Sequence, residues 1–291
     1  MKISGKELTN YIYLDIQKKL NILKNNNIIP KLIIIKSSNL ASVNNYIGQK
    51  IKIGQKVGIK VEVINLNENE CSDRKQIEDK IIAINKTSEN HGIIFQKPSN
   101  VQIDEAMEKL IGIDKDVDGF LENSLHKPPV YRGVLKVLEK IYGARDNILI
   151  LLLKKKKIVL LGKGKTGGQT IISGLKKDKY DMKLLHIIDT KTIEVKKKKY
   201  VTEADIILSA VGKNNPVDYL LFSKNSILID IGVHFDSVNK IKGDFNEEDV
   251  KKRVEYYTTT PGGIGAMTVA FLMDNVVNSA MNTLKIKENI I

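Results

Sequence analysis

The chain has little that would place it outside a reducing, aqueous compartment. Its 291 residues include one cysteine, Cys71, so no intrachain disulfide can form. No apolar leader follows Met1, and the apolar run 148–153 is far shorter than the ~20 residues that a membrane span needs. We therefore expect a cytoplasmic protein with no membrane partner.

Tryptophan is absent, aromatic residues make up 5% of the chain, and arginine accounts for only four of the 47 basic residues. The net charge of +13 could indicate a nucleic-acid partner. However, the lysine runs 154–157 and 196–199 lack interleaved arginines and stacking aromatics, which favours a solvated surface. The four histidines are scattered without ligand spacing, so we predict no metal site and no dedicated nucleic-acid site.

What the chain does contain is a repeated alternation of short apolar runs and helical stretches, at a length that suggests two domains. Such alternation predicts an α/β protein with parallel sheets, the second of them doubly wound. The runs in the first half are 32–35, 61–64 and 93–95, and those in the second half are 158–161, 184–188, 206–208 and 227–230.

A glycine-rich stretch at 261–268, Pro-Gly-Gly-Ile-Gly-Ala-Met-Thr, precedes a long apolar segment. Glycine has no Cβ and tolerates positive φ, so such a loop lets backbone press against a flat ligand, although glycine and proline also serve simply as turns. The stretch predicts a binding surface beside a helix N-terminus.

Residues 42–57 have the spacing of an amphipathic helix, with Lys50 in the middle of its apolar stripe. A lysine there either extends to water along apolar surface or serves chemistry. Tyr46 lies one turn earlier, at a spacing that would let its phenol contact the ammonium. The stripe consists of Val43, Tyr46, Ile47, Lys50, Gly54 and Val57.

Further candidates lie where predicted strands end. Gln96 follows an apolar run that stops at Pro98, and the end of a strand often carries functional side chains. Asp116 and Asp118 are separated by one residue, so in an extended segment at most one of them faces a given pocket. The Asp118-Gly119 pair taken alone is most often a turn.

A second glycine loop, 162–168, follows a predicted strand and opens a predicted helix. Its G-x-G-x-x-G-G spacing is typical of a dinucleotide site, in which backbone N–H groups hold the pyrophosphate at a helix N-terminus. Asp189 lies 21 residues past Gly168, near the offset at which an acid binds a ribose 2′-hydroxyl.

In order and spacing, these motifs resemble the methylenetetrahydrofolate dehydrogenase/cyclohydrolase family over nearly the whole chain. The resemblance begins at Ser4-Gly5-Lys6 and also includes 204–212 and 230–233. It implies a folate-binding catalytic domain at 1–143, a Rossmann-like NAD(P)-binding domain at 144–264, and a C-terminal helix at 265–291 that returns to the first lobe.

The chain departs from the family pattern at several positions. The family's QLPLP is Gln-Lys-Pro-Ser-Asn at 96–100, and its PCTPxG is Pro-Pro-Val-Tyr-Arg-Gly at 128–133. In the family's GRSxxVG loop, Lys163 stands for arginine, Gly164 for serine and Gly167 for valine, and Ala266 replaces a proline. These changes alter the cofactor wall more than the reactive side chains.

The resemblance implies two reactions of one-carbon metabolism, oxidation of methylenetetrahydrofolate with NADP or NAD and hydrolysis of the methenyl product to formyltetrahydrofolate. It implies catalytic roles for Lys50, Tyr46 and Gln96, with Tyr46 and Gln96 orienting the lysine by hydrogen bonds. Asp118, Tyr46, Pro261, Gly262 and Gly263 would bind the folate. The cofactor would contact Gly162, Lys163, Gly164, Thr166, Gly167, Gly168, Asp189, Ala210, Val211, Gly212 and Ile231.

The family also implies a homodimer and favours NADP, whereas Asp189 favours NAD, to which we lean slightly. Three alternatives stay open on the sequence. The chain could act on another small molecule with a nicotinamide cofactor, could be a dehydrogenase-only or inactive relative, or could be a basic nucleic-acid-binding protein on a dehydrogenase-like scaffold.

Overall fold

The computed structural model describes residues 1–66, 73–97, 99, 103–189, 192, 194–237 and 239–288. The strands in these ranges are β1 (Lys31–Lys36), β2 (Lys60–Asn65), β3 (Gly92–Phe95), β4 (Ile158–Leu161), β5 (Leu185–Ile188), β6 (Ile206–Ser209), β7 (Ile227–Asp230), β8 (His234–Phe235), β9 (Ile241–Lys242) and β10 (Tyr256–Tyr257). The helices are α1 (Gly5–Asn25), α2 (Ala41–Val57), α3 (Arg74–Lys86), α4 (Glu105–Glu108), α5 (Pro129–Tyr142), α6 (Asp146–Leu153), α7 (Gly168–Lys177), α8 (Glu194–Glu203), α9 (Glu247–Val250) and α10 (Ile264–Glu288).

The chain forms two compact units. The three-stranded unit consists of Tyr11–Pro129 and Val269–Ile291, and the five-stranded unit consists of Met1–Asn10 and Val130–Thr268. Both contain a parallel sheet and helices, which confirms the predicted α/β class.

The units divide the chain at points that differ from the predicted domain boundaries. The first residues join the five-stranded unit because Ile3 N donates to Tyr257 O at 2.8 Å and Tyr257 N donates to Met1 O at 3.0 Å, alongside β10. Residues 130–143 join it because the Tyr131 hydroxyl donates to Asp178 at 2.7 Å. The division by function at 143 and 264 stays a prediction.

The three-stranded unit has the strand order β2-β1-β3, and all of these strands are parallel. The continuous apolar run of β1 places Leu32–Ile35 at 2% exposure or less, as expected of a parallel strand covered on both faces. All three runs predicted in the first half of the chain are strands. They bring the ends of β1 and β3 side by side, with Ile35 paired to Phe95.

The five-stranded unit has the parallel order β10-β7-β6-β4-β5. The chain leaves β4 for β5 on one side and later places β6 on the other side, so the strand order reverses at β4. Ligands of open α/β sheets bind at the carboxyl ends of the strands beside such a reversal. The predicted Rossmann-like fold is confirmed, and β10 is a two-residue strand that the sequence did not reveal.

From Val269 onward, the C-terminal helix α10 packs within the three-stranded unit, as the resemblance implied. Asn275 Nδ2 donates to the carbonyl oxygens of Val117 at 2.8 Å and Lys127 at 3.1 Å. A Cβ at Gly92 would lie 2.9 Å from side-chain atoms of both Val117 and Val276, so this contact depends on a glycine. By length and composition 264–285 could span a membrane, but 67% of its most apolar window is buried in the fold.

Candidate active site

Lys50 emerges from the buried face of α2. Val43 and Ile47 on the same face are at most 5% exposed, and the lysine stem continues that apolar stripe. The ammonium Nζ donates to Gln96 Oε1 at 2.6 Å. Burial lowers the pKa of Lys50, and the nearby Asp118 carboxylate acts in the opposite direction.

Gln96 follows β3 directly and is only 8% exposed. Its backbone N–H donates to Ile35 O at 2.8 Å, which continues the β1–β3 pairing by one residue. Its side-chain Nε2 donates to Lys97 O at 2.9 Å, so the amide oxygen is turned toward Lys50. The predicted neighbour Pro98 lies outside the described residues.

The two predicted acids have separate functions in the fold. Asp116 accepts backbone N–H bonds from Gly119, Phe120 and Leu121 at 3.1, 3.3 and 2.8 Å, so its carboxylate holds the turn. Asp118 makes no hydrogen bond with any described residue. Burial raises the pKa of Asp118 to about 6, and the Lys50 charge opposes that shift. The structure thus leaves Asp118 available to a ligand and commits Asp116 to the backbone.

Asp118 lines a cavity of about 20 Å³ together with apolar side chains that include Ile94, Ile111 and Phe120. It has room for about one water, so it is too small to contain a planar ring. Lys97, at a position that is leucine in the family pattern, pairs with Glu108 at 2.5 Å on the rim of this cavity.

Tyr46 does not make the predicted hydrogen bond to Lys50. Its side chain is 51% exposed, and it has no hydrogen bond to any residue in the described part of the chain. The helical stripe explains the difference. At about 100° per residue Tyr46 lies roughly 60° from Val43, at the edge of the stripe, while Lys50 lies near its centre. Among the described residues, Gln96 alone forms a hydrogen bond with the ammonium.

The glycine loop at 261–263 is built against the start of α1 in the five-stranded unit. Lys6 N donates to Gly262 O at 3.2 Å, and a Cβ at Gly5 would lie 2.0 Å from Gly263 O. Gly262 has a φ of +99°, and the bond from Thr260 to Pro261 is cis. Close packing of backbone on backbone requires glycine at 5 and 263, and the positive φ favours glycine at 262.

The loop after β4 has the shape that a dinucleotide phosphate requires. Gly162 has a φ of +84°, and a Cβ at Gly168 would lie 2.2 Å from Gly162 O. A Cβ at Gly164 would meet no atom within 4 Å, so this edge of the loop is open. Gly167 caps α7 without a side-chain hydrogen bond, which leaves the helix N-terminus to a ligand. Thr166 is exposed beside it.

Asp189 directly follows β5 and forms an ion pair with Lys163 of the glycine loop, with Nζ to Oδ2 at 2.7 Å. Thr192 Oγ1 donates to the other carboxylate oxygen at 3.2 Å. On the sequence, Lys163 could bind the phosphate of NADP, whereas Asp189 favours NAD. In the structure these two side chains neutralise each other.

The segment 210–212 follows β6, and Ile231 follows β7, so both lie at the carboxyl ends of adjacent strands. Two residues that sequence reasoning missed hold this segment. Asp244 Oδ2 accepts from Val211 N at 2.9 Å and from Ser209 Oγ at 2.5 Å. Ser209 ended an apolar run and could have been noticed, whereas Asp244 stands outside every apolar run.

The structure therefore brings Lys50, Gln96 and Asp118 together in the three-stranded unit. It places the predicted cofactor residues and the 261–263 loop in the five-stranded unit. Among the described residues, no group of three or more histidine, cysteine or acidic side chains could hold a metal.

Two family models match the chain. The tetrahydrofolate dehydrogenase/cyclohydrolase catalytic domain matches residues 3–118, and the NAD(P)-binding domain of the same family matches residues 129–284. The bifunctional protein FolD of Wolbachia sp. subsp. Drosophila simulans is 32% identical, covering 96% of this chain and 94% of the relative. The bifunctional protein FolD of Mycoplasma genitalium is 34% identical, covering 84% and 86%.

Solved structures agree. The bifunctional FolD enzyme of Campylobacter jejuni has a TM-score of 0.85 at 28% identity, covering 97% of this chain and 99% of its own. The Trypanosoma brucei enzyme complexed with NADP shares the fold at 22% identity, with a TM-score of 0.83 and 98% coverage of both chains. The predicted enzyme class and its NAD(P) cofactor are confirmed, and no comparison favours the alternatives. The chain belongs to the tetrahydrofolate dehydrogenase/cyclohydrolase family.

Proposed function

We propose that Lys50 transfers the proton in the cyclohydrolase reaction of this enzyme, which follows its oxidation of methylenetetrahydrofolate. The observation that carries the proposal is the 2.6 Å hydrogen bond from Lys50 Nζ to Gln96 Oε1 on a buried helix face. Water adds to the methenyl cation, and a proton must leave that water before the ring opens. A lysine whose pKa is lowered by burial gives up its proton more readily than a lysine in water, and the neutral amine can then accept the proton of that water and return it.

Gln96 and Asp118 set the conditions for that transfer. The amide oxygen of Gln96 fixes the direction of the ammonium, because its own Nε2 is bound to Lys97 O. Asp118 lies close enough to oppose the pKa shift of Lys50, so the two groups are electrostatically coupled. A cationic methenyl substrate near Lys50 would lower its pKa further.

Asp118 is also our proposed anchor for the pterin. A carboxylate that makes no hydrogen bond with any described residue can accept paired hydrogen bonds from the amino and ring N–H groups of a pterin. The 261–263 loop borders the folate through its backbone, and Tyr46 offers an exposed ring to the substrate. For these residues the proposal depends on the family resemblance together with the positions described above.

The oxidation needs little from side chains. NAD(P) supplies the hydride acceptor, and hydride transfer mainly requires that two carbons be held in contact and aligned. The loop at 162–168 fits a pyrophosphate through its glycines and the open end of α7. The segment 210–212 and Ile231 would flank the rest of the cofactor. We keep our slight preference for NAD over NADP, because Lys163 is paired with Asp189 and would have to be released to bind a 2′-phosphate.

Two spectrophotometric assays on the purified enzyme test the proposal. The first follows formation of methenyltetrahydrofolate with NAD and with NADP supplied separately, and the second follows hydrolysis of added methenyltetrahydrofolate without any nicotinamide. We expect activity in both. Oxidation without hydrolysis would indicate a dehydrogenase-only relative and would remove the proposed role of Lys50.

The assembly and location implied by the family are also proposals. We expect a cytoplasmic homodimer. Light scattering on the eluted protein would give twice the mass of one chain, and the mass of a single chain would contradict this expectation.

A further inference from the structure

Two carboxylates are buried at the carboxyl ends of β6 and β7. Asp230 ends β7 and is 1% exposed, and Asp244 follows β9 and is fully buried. Buried carboxylates are costly unless their oxygens accept hydrogen bonds. Their partners are the Ser209 hydroxyl and backbone N–H groups of the surrounding loops, which is the arrangement of a structural support.

Asp244 binds the segment that leaves β6 at three points. Its Oδ2 accepts from Ser209 Oγ at 2.5 Å and Val211 N at 2.9 Å, and its Oδ1 accepts from Lys213 N at 3.0 Å. Its backbone oxygen accepts from Asn215 N at 2.7 Å. The course of 209–215 is therefore set by one residue that is distant in sequence.

Asp230 supports the neighbouring loop and interlocks with the Asp244 segment. Its oxygens accept from Gly232 N and Phe245 N, both at 3.1 Å. A Cβ at Gly232 would lie 2.1 Å from Asp244 Oδ1, and a Cβ at Gly243 would lie 2.2 Å from Asp230 Oδ2. Each carboxylate thus occupies the space left by a glycine beside the other.

We infer that Asp244 is a positioning residue for the nicotinamide cofactor, because its carboxylate fixes the backbone that the cofactor contacts after β6. The inference rests on the proposed cofactor role of 210–212. Asp244 lies behind this backbone and binds its N–H groups, so it acts through the segment and has no need to touch the cofactor. Asp230 performs the same function for the turn at Ile231.

The substitution Asp244→Asn tests this. An asparagine has one acceptor oxygen, and in either orientation its amide NH₂ faces the N–H of Val211 or of Lys213. One buried donor therefore loses its acceptor, and the segment must shift. The expected change is an increase of about 5- to 150-fold in the dissociation constant of NAD(P)H, measured by fluorescence titration without folate. The KM for NAD(P) should rise in parallel.

The cyclohydrolase reaction provides an internal control, because it uses Lys50, Gln96 and Asp118 and needs no nicotinamide. We expect Asp244→Asn to leave its rate within about twofold, since Asp244 belongs to the other unit and shares no hydrogen-bond partner with these three residues among the described residues. A matched control is Asp205→Asn. Asp205 lies at the opposite end of β6, where its Oδ2 accepts from Lys157 N at 2.7 Å, and this variant should not change cofactor affinity.

If Asp244→Asn does not fold, Ser209→Ala gives the same test more gently, because it removes one donor and leaves both backbone bonds to Asp244. It should weaken NAD(P)H binding by about two- to fivefold while hydrolysis is unchanged. Equal losses of oxidation and hydrolysis, or an unchanged NAD(P)H dissociation constant, would overturn the inference. Absence of NAD(P)-dependent oxidation in the unmodified enzyme would instead contradict the proposed function.

Discussion

The two units of this enzyme use polar groups in opposite ways. In the three-stranded unit the atoms that we propose to be reactive are side-chain ends, and burial lowers the pKa of Lys50 and raises that of Asp118. In the five-stranded unit the atoms that we propose to contact the cofactor belong to backbone, and carboxylates such as Asp244 hold that backbone through its N–H groups. A side-chain site loses its chemistry with one substitution, whereas a backbone site loses affinity when its support or its glycines change.

Lys50→Met should have the largest effect and would test the first half of this comparison. Loss of a general acid or base typically costs ~10²- to 10⁴-fold, so hydrolysis of methenyltetrahydrofolate should fall by that factor. Hydride transfer needs no proton shuttle at this position and should fall far less. Both reactions are measured on the same purified variant.

Lys52→Met is the matched control, because Lys52 is an exposed lysine on the same helix. It should leave both reactions near their original rates. If Lys50→Met lowered oxidation and hydrolysis equally, Lys50 would only shape the pocket, and the proposed contrast between the units would fail.

Asp118→Asn should have the next largest effect. Asparagine keeps the shape but presents a donor to the donors of the pterin, and losing such a charge-assisted pair costs about 2–3 kcal/mol. The dissociation constant for folate should rise accordingly while that of NAD(P)H stays nearly constant. Asp116→Asn is the comparison, because its carboxylate holds backbone N–H groups of the turn. A greater loss of folate affinity in Asp116→Asn would show that Asp118 is not the anchor.

The raised pKa of Asp118 also predicts that its charged form lowers the stability of the folded protein. The pKa of Asp118 in the folded protein, about 6, lies above its value of 3.8 in the unfolded chain, so folding favours the protonated form. Its contribution to stability is therefore greatest below pH 4 and is lost as the pH rises through 6. Asp118→Asn should be more stable than the unmodified enzyme above pH 6, by on the order of 1–3 kcal/mol. Urea unfolding at pH 4 and pH 7.5 measures this difference, which should shrink at the lower pH.

In the unmodified enzyme, folate binding should weaken as the pH falls through the same interval. Below pH 6 the protonated Asp118 has lost the charge that strengthens its bonds to the pterin. A folate dissociation constant that does not change between pH 7.5 and 5 would separate this carboxylate from binding.

The sequence predicted the strands well because parallel strands buried on both faces appear as continuous apolar runs. It also identified Lys50, since a lysine in the centre of an apolar stripe stands out from its neighbours. The predicted hydrogen bond from Tyr46 to Lys50 was wrong, because a position at the edge of the stripe is 51% exposed, while the role of Tyr46 at the site stays a prediction. Asp244 gave no signal, because its partners Val211 and Lys213 are backbone groups more than 30 residues away. Periodicity reports burial of side chains and contains nothing about which distant backbone a carboxylate supports.

Asp189→Ser should have the smallest effect and sharpens the description of the cofactor side. Asp189 accepts from Thr192 and pairs with Lys163, whose side chain is 55% exposed, and ion pairs with such exposure contribute about 0–1 kcal/mol. Serine removes the charge that repels a 2′-phosphate and releases Lys163 to bind one. The ratio of kcat/KM for NADP to that for NAD should therefore rise by about two- to tenfold. Lys163→Met in the same background should cancel the gain, because the phosphate would then lack its cation. An unmodified enzyme that already prefers NADP and does not respond to Asp189→Ser would show that Asp189 has no part in cofactor choice.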